Sequence, residues 1–310
     1  MLSAIILATV CLNTPQSCPF SAMADSLGGS PHEIGNIVQV AGSAGDFGTL
    51  LAAATQAGLA ETLQSEGPFT VFAPTDEAFA KLPRGTVESL LRPENKAKLA
   101  LILTYHVVPG VLGSEEVLTK TALPTANGQR LSVQMVKGAP RIGNAGIVAT
   151  DVEASNGVIH VIDEVIIPQT KDIVGVATDA GSFKILAAAL AAADLVEVLQ
   201  GKGPFTVLAP TDEAFGKLPE GTVESLLEPA NKEKLRTILL YHVVPGRVYA
   251  DKVMTLTSAL TVANIAAPIV VKKSAKGTPV VTVDGATVMA TDIEASNGVI
   301  HVIDSVILPD

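Results

Sequence analysis

The sequence has no tryptophan, only 4% aromatic residues and just two cysteines among its 310 residues. Few aromatic side chains leave little surface for stacking bases or sugar rings. Basic residues are scarce too: 21 Lys and Arg stand against 31 Asp and Glu, a formal net charge of −10. Because a net anion repels phosphate backbones, nucleic-acid binding is disfavoured. No segment reaches the ~18–20 apolar residues that span a bilayer, so no membrane span is predicted.

Apolar residues, in contrast, make up 48% of the chain, against 17% charged residues. A chain of this composition buries enough side chains to fold, which excludes general disorder. Its 310 residues are long enough for about two domains of ~150 residues each. We therefore expect a folded, acidic chain with two hydrophobic cores.

Both cysteines, Cys11 and Cys18, lie in the first 24 residues, which differ from the rest of the chain. Residues 2–12 are an apolar run of signal-peptide length, and residues 22–24 (Ala-Met-Ala) offer a cleavage pattern. We predict a signal peptide over 1–24 and a secreted, extracellular or periplasmic protein. The mature chain would then have no thiol, which excludes cysteine nucleophiles and Cys-based metal sites. A buried N-terminal segment, or a lipid anchor on Cys11, stays open as an alternative.

Four segments occur twice, so the chain contains two copies of one unit. The pairs are residues 67–71 and 203–207, 73–79 and 209–215, 105–110 and 241–246, and 153–160 and 294–301. The first three pairs are 136 residues apart and the last pair is 141 apart. A period this long indicates two complete domains rather than a solenoid of small units.

We place the first repeat at residues 37–168 and the second at 173–309, after a flexible Gly- and Ser-rich segment at 25–36. The five extra residues of the second repeat fall within 255–284. We interpret that stretch as hairpins and loops, where insertions cost least. Residues 168–171 form a very short linker, so the two domains are expected to touch or to hold a restricted angle.

Helical spacing dominates the first half of each repeat. Apolar residues at the 3–4 spacing of amphipathic helices are Phe47, Leu50, Leu51, Ala54, Leu59, Leu63, Leu99, Ile102 and Leu103. Thr75 is a predicted helix cap with Asp76 in the first turn behind it, and Thr86 is a second predicted cap. These signals predict several short helices in each repeat.

Strand patterns surround and follow these helices. Residues 69–73 predict a short buried strand, and residues 158–167 predict a strand buried on both faces. The Asn-Gly pairs at 127–128 and 156–157 are hairpin signals. Helices first and strands after predict an α+β domain.

The repeated motifs resemble those of a known family. Residues 67–79 (Gly-Pro-Phe-Thr-Val-Phe-Ala-Pro-Thr-Asp-Glu-Ala-Phe) and 156–163 (Asn-Gly-Val-Ile-His-Val-Ile-Asp) resemble the two signatures of the fasciclin domain. Residues 105–110 (Tyr-His-Val-Val-Pro-Gly) resemble the Tyr-His segment between them. The resemblance implies two tandem modules, each a twisted, wedge-like β-sandwich with packed helices. It also implies an extracellular or surface-attached protein that mediates cell adhesion or matrix contacts.

The resemblance also implies a partner-binding segment, since the Tyr-His segment of animal members has been implicated in integrin binding. The candidate residues are therefore Tyr105, His106, Tyr241 and His242. The turn signal at 109–110 supports exposure of the rings near a surface. The alternative is that these Tyr and His side chains join the helices to the sheet through hydrogen bonds.

Four of the five histidines are paired by the repeat, His106 with His242 and His160 with His301. Histidine is a common metal ligand and catalytic base. However, no second ligand stands at a suitable spacing, and the apolar neighbours of His160 favour a hydrogen-bonded, buried ring. We predict no metal and no cofactor, and we interpret His160 and His301 as structural.

Two further places carry residue types that catalysis uses. Asp76 and Glu77 form an acidic pair, but helix capping explains carboxylates there. Thr75, Asp76 and their counterparts Thr211 and Asp212 are therefore interpreted as mainly structural motif residues.

Ser155, His160 and Asp163 supply the residue types of a hydrolase triad. The strained nucleophile turn and the oxyanion donor of such enzymes are missing around them. We predict that the chain is not an enzyme.

These observations predict a secreted or surface-associated adhesion or extracellular-matrix interaction protein without enzymatic activity. The expected partners are an extracellular protein, a polysaccharide or a cell-surface ligand, with weak self-association in addition. Two similar domains on a short linker would gain affinity through avidity. The alternative is a carrier of a small apolar ligand held between helices and sheet, which rests on the high apolar content.

Overall fold

The computed structural model describes residues 34–273 and 277–309. The predicted signal peptide and most of the predicted flexible segment lie outside the described residues. The elements of the first repeat are α1 (Ile37–Ala44), α2 (Gly48–Ala57), α3 (Ala60–Gln64), β1 (Phe69–Pro74), α4 (Asp76–Ala80), α5 (Thr86–Leu90), α6 (Lys96–Tyr105), β2 (Val107–Pro109), α7 (Ser114–Thr119), β3 (Ala122–Pro124), β4 (Arg130–Val136), β5 (Ala139–Ile142), β6 (Ala145–Ala154) and β7 (Gly157–Ile162).

The second repeat has the same order of elements. They are α8 (Ile173–Ala180), α9 (Lys184–Ala192), α10 (Val196–Gln200), β8 (Phe205–Pro210), α11 (Asp212–Phe215), α12 (Thr222–Leu227), α13 (Lys232–Tyr241), β9 (Val243–Pro245), α14 (Ala250–Val253), β10 (Ser258–Leu260), β11 (Ala266–Lys273), β12 (Pro279–Val283), β13 (Ala286–Ala295) and β14 (Gly298–Ile303). A short 3₁₀ turn precedes α6 and another precedes α13. The α+β prediction is confirmed.

Local signals explain where several of these helices begin. Asn36 caps α1 and accepts a hydrogen bond from the Gln39 N–H, while the Gln39 side chain accepts one from the Asn36 N–H. Thr75 caps α4 by accepting from the Ala78 N–H, which confirms that prediction. The prediction for Thr86 is wrong, because Gly85 with φ 82° is the cap and Thr86 is already helical. A glycine is suited to this position because it adopts a left-handed backbone without strain.

One sheet of seven strands organises each repeat. The strand order is β2-β1-β7-β6-β5-β4-β3 in the first repeat and β10-β11-β12-β13-β14-β8-β9 in the second. The second and third strands of this order, β1 and β7, are parallel, with Thr70 opposite Val158. The two edges of the sheet approach each other, since the Ala126 N–H beside β3 donates to the Val107 carbonyl of β2 at 2.8 Å. The sheet therefore curls towards a barrel.

The Asn-Gly pair at 156–157 forms the turn between β6 and β7, and its glycine is also the first residue of β7. A Cβ on Gly157 would lie 1.9 Å from the Phe69 carbonyl oxygen, so no other residue fits. The strand itself ends at Ile162, so the prediction that it extends to residue 167 is wrong. Val165 and Ile166 beyond it are buried all the same, which explains the long apolar run.

Each repeat has two hydrophobic layers, one on each face of the strand β1 in the first repeat and of β8 in the second. In β1, Val71 and Ala73 face the helices, whereas Phe72 between them fills the barrel. The alternation follows from the two-residue period of a strand. The second repeat repeats the arrangement, with Val207 on the helical side and Leu208 in the barrel.

Candidate functional site

The Tyr-His segment lies where α6 runs into β2, and its histidine is buried. The Nδ1 atom of His106 lies 2.9 Å from the Ile102 carbonyl oxygen. Its Nε2 atom accepts a hydrogen bond from the Ile166 N–H at 3.3 Å. His242 makes the same two contacts, with Ile238 and Ile307. Each ring therefore carries its proton on Nδ1 and joins the helix to the segment that follows the last strand.

Burial also sets the charge of these rings. It lowers the pKa of His106 to about 4 and that of His242 to about 4, because an imidazolium would lose its hydration there. Both histidines are therefore neutral near pH 7. Neutral rings with both nitrogens bonded to the backbone support the interpretation that they hold helix and sheet together.

The two tyrosines of the segment have different surroundings. Tyr241 is buried, and its hydroxyl donates to Asp284 Oδ2 at 3.2 Å. Tyr105 is half-buried and donates to the Arg130 carbonyl oxygen at 3.1 Å. Burial raises the pKa of the Tyr105 phenol to about 12, so it stays protonated. The expected exposure of the rings is not observed; whether these residues contact a partner stays a prediction.

His160 and His301 occupy equivalent places beside the bulged strands β6 and β13. The His160 Nε2–H donates to the Leu112 carbonyl at 2.9 Å, and its Nδ1 accepts from the Asp151 N–H at 3.3 Å. His301 does the same with Val248 and Asp292. Backbone groups thus occupy both nitrogens of each ring, as the structural interpretation requires.

The residues considered for a hydrolase triad do not form one. The His160 ring is engaged by backbone, and Asp163 Oδ1 accepts instead from the Gly146 N–H at 2.7 Å. Ser155 therefore has no imidazole base to activate it. Across residues 34–273 and 277–309, no group of three or more His, Cys, Asp or Glu side chains is placed to hold a metal ion.

Asp76 has a structural role that the sequence analysis did not find. Its carboxylate accepts hydrogen bonds from the Gly48 and Thr49 N–H groups at 3.2 and 2.7 Å. Those donors begin α2, whose own cap residue Phe47 makes no side-chain bond. The hydrogen bond with Thr49 lowers the pKa of Asp76. In the second repeat Asp212 accepts from the Ile185 N–H at 2.8 Å and caps α9 in the same way.

The two repeats meet at a polar contact that we call the junction, formed by Arg130, Arg247, Tyr249, Asp251 and Glu294. Arg130 lies on the β3–β4 hairpin of the first repeat. Its guanidinium stacks on the Tyr249 ring, 3.9 Å from the centroid, and pairs with Asp251 at 2.8 Å. Its backbone N–H donates to Glu294 Oε1 at 2.9 Å. The guanidinium and the backbone of Arg130 therefore both contact the second repeat.

Glu294 is the centre of the junction on the second repeat. It accepts from the Tyr249 hydroxyl at 2.8 Å and from Arg247 at 2.9 Å. Arg247 also donates to the carbonyl groups of Ala295, Ser296 and Gly298. Burial raises the pKa of Glu294, and the hydrogen bonds from these neighbours oppose that rise. A carboxylate with this many donors is held in one position.

The junction residues were missed by the sequence analysis, yet a signal for them exists. Arg247 and Tyr249 replace Val111 and Gly113 of the first repeat, and Ala266 replaces Arg130. Arg247 and Tyr249 come directly after a segment, 241–246, that is identical to 105–110 of the first repeat. A charge or ring present in only one copy is what an asymmetric contact between copies requires.

The geometry defines a tandem of two equivalent α+β modules, each closed by buried histidines and joined by a polar contact. The chain belongs to the fasciclin domain family, whose model matches residues 45–168 and 181–309. The predicted resemblance is thereby confirmed, and its two domains correspond to the two repeats. The predicted boundaries at 37–168 and 173–309 stay predictions. None of the helices in the described part of the chain is long and apolar enough to cross a membrane.

Several curated relatives are similar to this chain. Protein sll1483 of Synechocystis is 54% identical over 132 residues, which are 43% of this chain and 73% of that protein. Transforming growth factor-beta-induced protein ig-h3 of Sus scrofa is 31% identical over 281 residues, 89% of this chain and 40% of that protein. The chain therefore spans less than half of the mammalian relative. A solved fasciclin I domain pair from an insect cell adhesion molecule is 21% identical, with a TM-score of 0.43, over 86% of this chain and 98% of that one.

Proposed function

We propose that this protein is a secreted or surface-associated adhesion module that binds an extracellular protein, polysaccharide or cell-surface ligand without catalysis. The observation that carries the proposal is the junction, where Arg130 of one fasciclin domain contacts Tyr249 and Glu294 of the next. A junction of this kind keeps the surfaces of both domains at a constant separation. A partner that meets both surfaces then gains affinity by avidity.

The buried polar groups of the motifs support a role in binding rather than catalysis. His106, His160, His242 and His301 all bond to backbone on both ring nitrogens. A catalytic imidazole needs a nitrogen that reaches the substrate. Resemblance to the fasciclin family also implies adhesion and matrix contacts.

Within this proposal, the part of the Tyr-His segment that faces a partner is its turn. Pro109 and Pro245 are exposed, and Val111 beyond the first turn is 51% exposed. The rings of the segment would then position the turn from inside. A partner-binding role for Tyr105, His106, Tyr241 and His242 would thus be exerted through the shape of the turn.

Adhesion of coated beads tests the proposal. Beads carrying the full chain are mixed with cells of the source organism and with its extracted extracellular polysaccharide, and bound beads are counted. We expect several-fold more binding than with an unrelated acidic protein, and a reduction with Val111→Asp but not with Met135→Asp on the distant β4 strand. Binding at the level of the unrelated protein would overturn the adhesion role.

A further inference from the structure

The first domain contains a cavity between its helices and its sheet that the second domain largely lacks. It has a volume of about 100 Å³. Its walls include Ile37, Ala41, Leu50, Ala54, Val71 and Leu103. These residues belong to α1, α2, β1 and α6, so the cavity lies inside the helical layer. The equivalent space in the second domain is about 20 Å³.

Smaller side chains at three matched positions contribute to the difference, and they outweigh Leu51, which stands where the second domain has Ala187. Ala54 of α2 stands where the second domain has Leu190, and Leu190 borders the smaller space. Thr104 likewise stands where the second domain has Leu240, and Ala126 replaces Val262. A single truncation would leave a packing defect. Three smaller side chains around one space shape a cavity.

The cavity is chemically apolar even where polar residues line it. Both ring nitrogens of His106 are bonded to backbone, as described above. The Thr104 hydroxyl donates to the Ala100 carbonyl at 2.7 Å, one turn back in its own helix. No buried side-chain nitrogen or oxygen of the described residues lacks a partner. A charged or strongly polar ligand would therefore lose its hydration without compensation.

The cavity lies close to the surface of the domain. Two of its lining residues, Thr62 in α3 and Ala126 in the β3–β4 turn, are exposed. Both side chains are small. The proposal places the entry of a ligand on this side of the cavity.

We propose that the first fasciclin domain binds one small, uncharged, hydrocarbon-rich molecule in this cavity. The ligand would be no larger than a benzene ring, since a dry apolar cavity of roughly 150 Å³ accepts benzene or xenon and this cavity measures about 100 Å³. The site is independent of the adhesion surface: Val111 and the junction are not among its lining residues. It agrees with the carrier that apolar composition suggested and assigns that activity to one domain.

Benzene titration of the full-length chain, followed by ligand-observed NMR, tests the site. We expect one saturable site per chain. Ala54→Leu introduces the residue of the second domain and should weaken benzene binding by about tenfold or more, because a filled core leaves no room. The mirror variant Leu190→Ala should add a second site. Far-UV circular dichroism checks that each variant is folded.

A second variant keeps the test decisive if Ala54→Leu fails to fold. Thr104→Leu narrows the same cavity from α6 and should weaken binding several-fold. Absence of saturable binding by the natural chain, or equal binding by the natural chain and a folded cavity-filling variant, would overturn the proposal. Bead adhesion should be unchanged in both variants, so failure of this site and failure of the adhesion role are separate results.

Discussion

The two domains have the same strand order and the same histidine contacts, but they leave space in different layers. In the first barrel, Phe72 is 0% exposed and packs 5.4 Å from the His160 ring, centroid to centroid. The second barrel has Leu208 there and keeps a pocket of about 30 Å³. In the helical layers the order is reversed, with about 100 Å³ in the first domain and 20 Å³ in the second. The same backbone fold thus accommodates two different distributions of internal space between the barrel and the helical layer.

The surfaces of the two domains differ for another reason. The hairpin of the first domain, through Arg130, contacts the face of the second that carries Tyr249 and Glu294. The contact is heterologous, since each domain contributes a different patch. Each copy therefore has contact residues that the other copy lacks.

The largest expected difference between the domains lies in the barrel. Phe72→Ala should lower the free energy of unfolding of the first domain by about 3–5 kcal/mol, because it empties a fully buried ring site. Leu208→Ala should cost the second domain less, towards the lower end of the usual range of about 2–5 kcal/mol, because fewer carbons are removed. Hydrogen exchange followed by mass spectrometry in urea resolves the two domains. Equal losses would contradict the different filling of the barrels.

Acid should destabilise both domains, because their buried histidines are neutral in the folded chain. The pKa of His106 and His242 is about 4 in the folded chain, below the ~6.5 of an unfolded imidazole. The unfolded chain therefore binds protons first, and stability falls as the pH drops from about 6.5 to 4. The loss is about 3 kcal/mol for each of these histidines.

Burial also lowers the pKa of His301, which adds to the acid sensitivity of the second domain. Urea midpoints measured for each domain between pH 4 and 7.5 check this loss of stability. His106→Gln should remove part of the pH dependence from the first domain alone. A pH-independent midpoint in the natural chain would contradict the buried, neutral rings.

Glu294 and Glu153 occupy equivalent positions in the two domains, but only the loss of Glu294 should weaken the junction. Glu294→Ala removes the partner of Arg247, which is only 12% exposed, and should cost the second domain about 2 kcal/mol. It should also broaden the distribution of distances between the domains. Glu153→Ala, at the matching exposed position of the first domain, should change stability by less than about 0.5 kcal/mol. Spin labels on both domains measure the distances, and an unchanged distribution with Glu294→Ala would remove the junction as the restraint.

The smallest effects should be equal in the two copies. Thr75 and Thr211 accept from the Ala78 and Ala214 N–H groups, both at 3.2 Å. Each Thr→Ala change should therefore cost about 1 kcal/mol in its own domain. Unequal losses would show that the shared motif is not energetically equivalent in its two settings.

The sequence predicts best what depends on near neighbours. The Thr75 cap depends on a donor three residues away, and the hairpin at 127–128 depends on two residues with turn preferences. Internal repetition then transfers each such prediction to the second domain. The error at Thr86 is also local, since a glycine competed with a threonine for the same cap position.

Contacts between distant residues were not predictable in this way. Asn156 accepts from the Ile37 N–H and donates to the Leu63 carbonyl, although 119 and 93 residues separate them. The sequence indicated that Asn156 is a turn residue, but not that its side chain forms hydrogen bonds to two helices. The turn signal after the Tyr-His segment predicted that its rings lie near a surface, yet His106 is buried. The direction of a ring at a helix end depends on packing that one-dimensional spacing does not contain.

The heterologous contact also means that the order of the two domains is not interchangeable. In a chain with the domains transposed, the Ala266 hairpin would approach the face with Val111 and Gly113. That pair of surfaces offers neither a guanidinium nor a phenol, so nothing would orient one domain on the other. The contact therefore depends on the order of the two domains along the chain, and not only on the presence of two modules. A longer array assembled from this unit would need different residues at every new boundary.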